Sequence, residues 1–231
     1  HPLRLGGRLV VVSTGMLSQL PWGLLPSLRG VPVVVAPSAT AWHAAHTRRP
    51  SRHRRVVTVA GPDLDRGVPE AQAVARIWHG EVLANATGAA FADAMAHARI
   101  AHVAAHGVHQ VENPLFSSLR LADGPLFAHE LDQTARTPDH VVLSACELGL
   151  ATIRPGDEAL GLASVLLRLG TRNVVAGVAR VGDELAEETM ADYHARLAAG
   201  ADSAAALAEA VAGRRVPFVC FGAAYRTNGR R

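Results

Sequence analysis

The sequence has no lysine: all 23 of its Lys-or-Arg positions are arginine. That bias, alongside abundant alanine, valine and glycine, is what GC-rich coding produces. The net charge of +3 and the pI near 9.5 are therefore discounted as a sign of nucleic-acid binding. Cysteine is scarce as well, with Cys146 and Cys220 in separate apolar runs. Two such residues make no disulfide framework and point to a reducing, cytoplasmic setting. Aromatic residues amount to only 4%, so the core has to be built from Val, Leu and Ala, and a hydrophobic content of 49% suffices for a globular domain. No apolar run reaches the roughly 18–20 residues that span a bilayer, so no transmembrane helix is expected. No secretory leader is visible. A chain that opens on His1, with a strand-like segment from Arg8, reads as a piece cut from a longer protein.

What is present is an alternation. Short β-rich runs at Arg8–Thr14, Val31–Ala36, Val56–Gly61, Glu81–Ala84, Ile100–Ala105, His140–Ala145, Asn173–Ala179 and Phe218–Ala223 are predicted strands. Between them, Ser38–His46, Glu70–His79, Thr87–Ala98, Glu158–Leu169, Asp183–Ala198 and Ser203–Ala212 carry helical periodicity, with Thr87 and Asp202 as N-caps. Runs such as "HVVLSA" are apolar on both faces, as central strands covered on both sides must be. The pattern predicts a three-layer α/β/α sandwich with a mostly parallel central sheet. Residues 1–55 form a smaller N-terminal half or edge extension, and 56–231 form the core. The run Thr47–Arg55, with five arginines and no interleaved aromatic, reads as a solvated linker at the seam.

In such sheets, functional groups collect where strands end at their carboxyl edge. His106 follows the run "HVAAHG" and Cys146 follows "VVLSACELG". Either residue alone is unremarkable, since a strand-end cysteine is usually a small buried hydrophobe. Together, at the exits of two neighbouring parallel strands, an imidazole takes the thiol proton and makes a thiolate nucleophile. Acyl transfer also needs donors for the oxyanion, and the backbone amides of Gly107 and Cys146 are placed to supply them.

These segments resemble the CHAT family of caspase- and separase-like cysteine peptidase domains, usually found behind TPR repeats. The resemblance continues in order through "LPWGLLPSL", "VPVVVAPSAT", "VPEAQAVARI", "NPLFSSLRLADGPL", "GDEALGLASVLLRLGTRNVVAGVARVGD" and "FVCFGA". It implies a caspase-like fold, one CHAT domain over the whole chain, Cys146 as nucleophile and His106 as general base and acid. It further implies that Asp183, in "ARVGD", binds a basic P1 side chain, although Asp183 also reads as a helix N-cap. Asp157, with Glu158 beside it, is a second pocket candidate that also suits a helix start. The family's "LWxV" is replaced here by Val178-Ala179-Arg180-Val181, which removes an aromatic wall and lets Arg180 pair with Asp183 across the pocket.

His102, His106 and His109 lack zinc spacing, so no metal and no cofactor is expected. Cys220 reads as strand core. The expected activity is a cysteine endopeptidase acting on a protein or peptide substrate, without nucleic-acid or membrane partners and with upstream TPR or sensor domains. The alternative is a latent or silent CHAT signalling or scaffold module that binds a protein partner. A nucleotide-binding domain is disfavoured by the lack of a P-loop or of GxGxxG after a strand.

Overall fold

The β-branched runs become strands and the Ala/Leu segments become helices, as their steric preferences require. The computed structural model of the chain describes residues 7–13, 17–18, 20–108, 116–133, 136–144 and 157–227. The first half contains β1 (Leu9–Val12), β2 (Val33–Ala36), α1 (Ala39–Thr47), β3 (Arg55–Ala60), α2 (Gly67–Trp78), β4 (Glu81–Ala84), α3 (Gly88–His97) and β5 (Ala98–Ala104). Then follow β6 (Gly107–Val108), β7 (Ser118–Leu121), β8 (Gly124–Phe127), β9 (His140–Leu143) and α4 (Asp157–Leu169). The chain closes with β10 (Asn173–Gly177), α5 (Asp183–Ala198), α6 (Ser203–Val211) and β11 (Phe218–Gly222).

Eight strands form one sheet in the order β1-β2-β11-β10-β9-β5-β3-β4, parallel throughout except where β10 meets β11. Alternation along each strand sends Val57, Val59, Ala101, Val103, Val141 and Val174 to a core shared with α3 and α4. The intervening Val56, Ile100, Val142 and Val175 face α5 and α6 instead. The three-layer α/β/α architecture with a mostly parallel sheet is therefore present. Thr87 caps α3 by accepting from Ala90 N at 3.3 Å, and Asp202 caps α6 by accepting from Ala204 N and Ala205 N, each at 3.1 Å. Among the described residues no helix is long and apolar enough to cross a membrane.

One feature departs from expectation. The segment after β5 builds a second, three-stranded antiparallel sheet, β6-β7-β8, beside the end of β5. The arginine run is solvated as expected, with Arg48, Arg49, Arg52 and Arg54 exposed, and its backbone is tied to the fold at Ser51. Ser51 N donates to Asp139 Oδ2 at 2.9 Å, and Arg172 Nε donates to Ala45 O at 3.2 Å just before the run.

Candidate active site

Strands β10, β9, β5, β3 and β4 run parallel and end at one edge of the sheet. β5 and β9 are adjacent and parallel, with Ile100 opposite His140 and Val103 opposite Leu143. The ladder runs on past the strand, since Ser144 N donates to Val103 O at 2.8 Å. His106 stands two residues beyond β5 and is 5% exposed. Cys146 lies outside the described residues.

The other neighbour of β5 is β3, whose exit continues as Gly61-Pro62-Asp63. Gly61 N donates to Ala104 O at 2.8 Å. A Cβ on Gly61 would stand 2.7 Å from Ala105 Cβ and 2.9 Å from Arg120 O, so only glycine lets the two exits approach this closely. Asp63 then adopts the left-handed conformation, φ 57°, which Asp tolerates better than most residues. That turn aims its carbonyl oxygen at His106 Nε2, 2.7 Å away. A carbonyl only accepts, so Nε2 carries the ring proton and a neutral ring has its lone pair at Nδ1. The Asp63 carboxylate pairs with Arg120 of β7 at 2.6 Å, and Arg120 N donates to His106 O at 2.8 Å. One arginine thus holds both sides of the contact. Gly61→Ala is expected to cost about 1–3 kcal/mol, seen as a lower denaturant midpoint with an altered His106 ring signal. An unchanged midpoint would show that the exits can part without penalty.

The same ladder positions Gly107. His106 O is bonded to Arg120 N, so the next pair, Gly107 opposite Leu119, is non-hydrogen-bonded and the Gly107 N–H points away from β7.

Asp183 is half-buried and is the first residue of α5, where the helix N-terminus favours a carboxylate. The N-cap is Gly182, not Asp183, so the capping role read from the sequence is corrected: Asp183 bonds no helix amide as a cap. Arg180 is exposed and, among the described residues, forms no ion pair with Asp183, so the occluding pair is absent. Arg66, the N-cap of α2, instead reaches Glu187 at 3.2 Å and Glu184 at 3.8 Å. It ties the loop that holds His106 to the helix that begins with Asp183. Asp157 is the first residue of α4, and its side chain lies outside the description, as does His109. Cys220 is buried in β11, where Asn173 Nδ2 donates to its sulfur at 3.0 Å. Burial pushes this thiol up to about 11, so it is no nucleophile at neutral pH.

Sequence reasoning missed Asp63 and Arg120. The strand-exit rule applied to Val56–Gly61 would have placed "GPD" on the same edge.

Solved structures similar to this one are those of cysteine peptidases. Saccharomyces cerevisiae separase, in its complex with securin, matches with a TM-score of 0.70 and 12% identity over 94% of this chain. Gingipain R (RgpB), an Arg specific cysteine proteinase, matches with a TM-score of 0.63 and 11% identity over 95% of it. Porphyromonas gingivalis RgpB in the complex of its pro- and mature domains matches at 0.62 and 11% over 95%. This chain spans 15% of the separase chain, 64% of the gingipain R chain and 66% of the chain in the RgpB complex. The fold is therefore the caspase-like fold of cysteine peptidases. The CHAT domain family profile matches residues 1–215, and the chain belongs to that family. No curated protein matches it in sequence.

Proposed function

We propose that the chain is a cysteine endopeptidase domain using Cys146 as nucleophile and His106 as general base and acid. The β5–β9 register carries this reading: pairing Val103 with Leu143 is an offset of 40 residues (143 − 103), and 146 − 106 is the same offset. Adjacent strands lie about 4.8 Å apart, so a chain that keeps this register brings Cys146 out beside His106.

His106 Nδ1 accepts the Cys146 thiol proton while Asp63 O steadies the Nε2–H of the resulting imidazolium. The thiolate sulfur adds to the scissile carbonyl carbon, and the oxyanion is held by the N–H groups of Gly107 and Cys146. Collapse of the adduct breaks the C–N bond as the imidazolium gives its proton to the leaving amine. Water, deprotonated by His106, then releases the acyl group and restores the thiol. The Asp63 carbonyl serves where other sites use a third side chain.

The substrate is a protein partner cleaved after a basic residue. Asp183, half-buried at the start of α5 beside the same edge, supplies the carboxylate. The Arg specificity of gingipain R, which shares the fold, supports this choice. Selective alkylation tests the nucleophile: iodoacetamide should modify Cys146 rapidly near neutral pH, and His106→Ala should slow it by at least about tenfold. Equal rates in the two proteins would remove His106 from the role. Asp183→Ala is expected to lower kcat/KM for P1-Arg peptides by about 10²-fold and leave P1-Ala peptides nearly unchanged. An unaltered Arg-to-Ala ratio would place the P1 carboxylate elsewhere.

A further inference from the structure

The edge of the sheet opposite the site is crossed by residues 48–54, which run from the end of α1 to the start of β3. This strap is anchored at two points and braced by one bond of its own. The Arg48 guanidinium lies on Gly170, where it would collide with any Cβ, Asp139 receives Ser51 N, and His53 N donates to Ser51 Oγ at 3.1 Å. Burial then alternates along the extended chain: Ser51, His53 and Arg55 are partly covered, while Arg52 and Arg54 face solvent. Arg49, held extended by the following Pro50, is exposed as well. Arg136 is exposed three residues before Asp139, whose carboxylate receives Ser51 N.

The carboxylates near this edge are already engaged. Asp139 is buried against Ser51, Glu81 pairs with Arg55, and Asp93 faces His97 at 3.4 Å. Among the described residues, Arg49, Arg52, Arg54 and Arg136 have no acidic partner. Helix C-termini at this edge account for Arg48 beside the end of α4, because a cation suits that end of the dipole. They do not account for the outward-facing arginines. An array of unpaired guanidinium groups on a pre-ordered backbone loses little entropy when it captures carboxylates.

We propose that this strap is a docking surface for an acidic polypeptide segment. Nucleic acid fits it less well. Single strands need stacking platforms, and the rings here are already paired, Trp42 on His46 and His53 against His97. Duplex readers present helix N-termini or a groove-entering element, whereas α1 and α4 bring C-terminal ends to this edge. Docking here leaves the His106 edge open, so the proposal stands independently of the peptidase reading.

Fluorescence anisotropy with labelled deca-glutamate, and with decathymidylate as the equal-length competitor, tests it. The peptide should bind at low salt. Arg49→Glu/Arg52→Glu/Arg54→Glu should weaken binding at least tenfold without changing the melting temperature, and Arg→Gln at the same positions should give an intermediate loss. Arg29→Glu/Arg76→Glu, at exposed arginines elsewhere, should leave binding within twofold. No peptide binding, equal losses in strap and control variants, or tighter binding of decathymidylate would each overturn the proposal.

Discussion

Cys146→Ala is expected to reduce cleavage of P1-Arg peptides by at least about 10⁴-fold, and His106→Ala by a similar factor. The reason for near-equality is that the two residues move one proton between them. Without the sulfur there is nothing to deprotonate, and without the ring the thiol stays protonated and weakly nucleophilic. The double variant should therefore be no slower than either single one, since the partners act as a unit. Asp63→Asn provides the contrast. It keeps the backbone carbonyl on Nε2 and suits the left-handed conformation, so its loss is expected to stay within about tenfold. Additive losses in the double variant, or a Cys146→Ala protein cleaving like wild type, would take the chemistry away from this pair.

Much of this arrangement was legible beforehand, for identifiable reasons. β4 begins and ends at the expected residues, Glu81 and Ala84, and α5 does so at Asp183 and Ala198, because each is bounded by glycine or polar residues that break the periodicity. The runs "HVVLSA" and "NVVAGVA" are apolar on both faces, which marks central strands, and the structure makes their strands β9 and β10 parallel neighbours. The sheet β6-β7-β8 was illegible. Its strands are two to four residues long and interrupted by Gly124 and Pro125, too short to show a period. Asp63 was illegible for another reason: it acts through a backbone oxygen, and every residue has one. Only its left-handed turn after Gly61 distinguishes it. The cap of α5 was misread because Asp is the commoner capping residue, whereas Gly182 takes that position and leaves the Asp183 carboxylate without a capping bond.

Stability should fall in mild acid, by at least about 2 kcal/mol between pH 7.5 and pH 5. The cause is buried under α2 and α5, on the opposite face of the sheet from α3 and α4. His140 Nδ1 faces Asn173 O at 3.3 Å, and its Nε2 accepts from Tyr193 Oη at 2.9 Å. Trp78 Nε1 can only donate, and it donates to His194 Nδ1 at 3.0 Å, so His194 carries its proton on Nε2. That proton is directed at His102 Nδ1, 3.2 Å away, and His102 Nε2 in turn faces Glu70 Oε1 at 3.1 Å. Burial lowers His140 to about 3, and burial is also the largest cause that takes His194 well below its usual value, with smaller contributions from the neighbouring imidazoles. His140 is neutral in the folded protein at pH 5 and His194 shifts in the same direction, while in the unfolded chain, near pKa 6.5, both rings bind protons. The unfolded state therefore gains protons as pH falls below 6.5; His140 removes about 2 kcal/mol of stability by pH 5, and His194 adds to the loss in the same direction. Urea unfolding at pH 7.5, 6 and 5 measures this directly. His140→Gln, less stable at pH 7.5 through loss of the Tyr193 bond, should show a shallower decline, with about one proton fewer taken up on unfolding. Parallel pH profiles for wild type and His140→Gln would mean that His140 is protonated in the folded state, contrary to its enclosure.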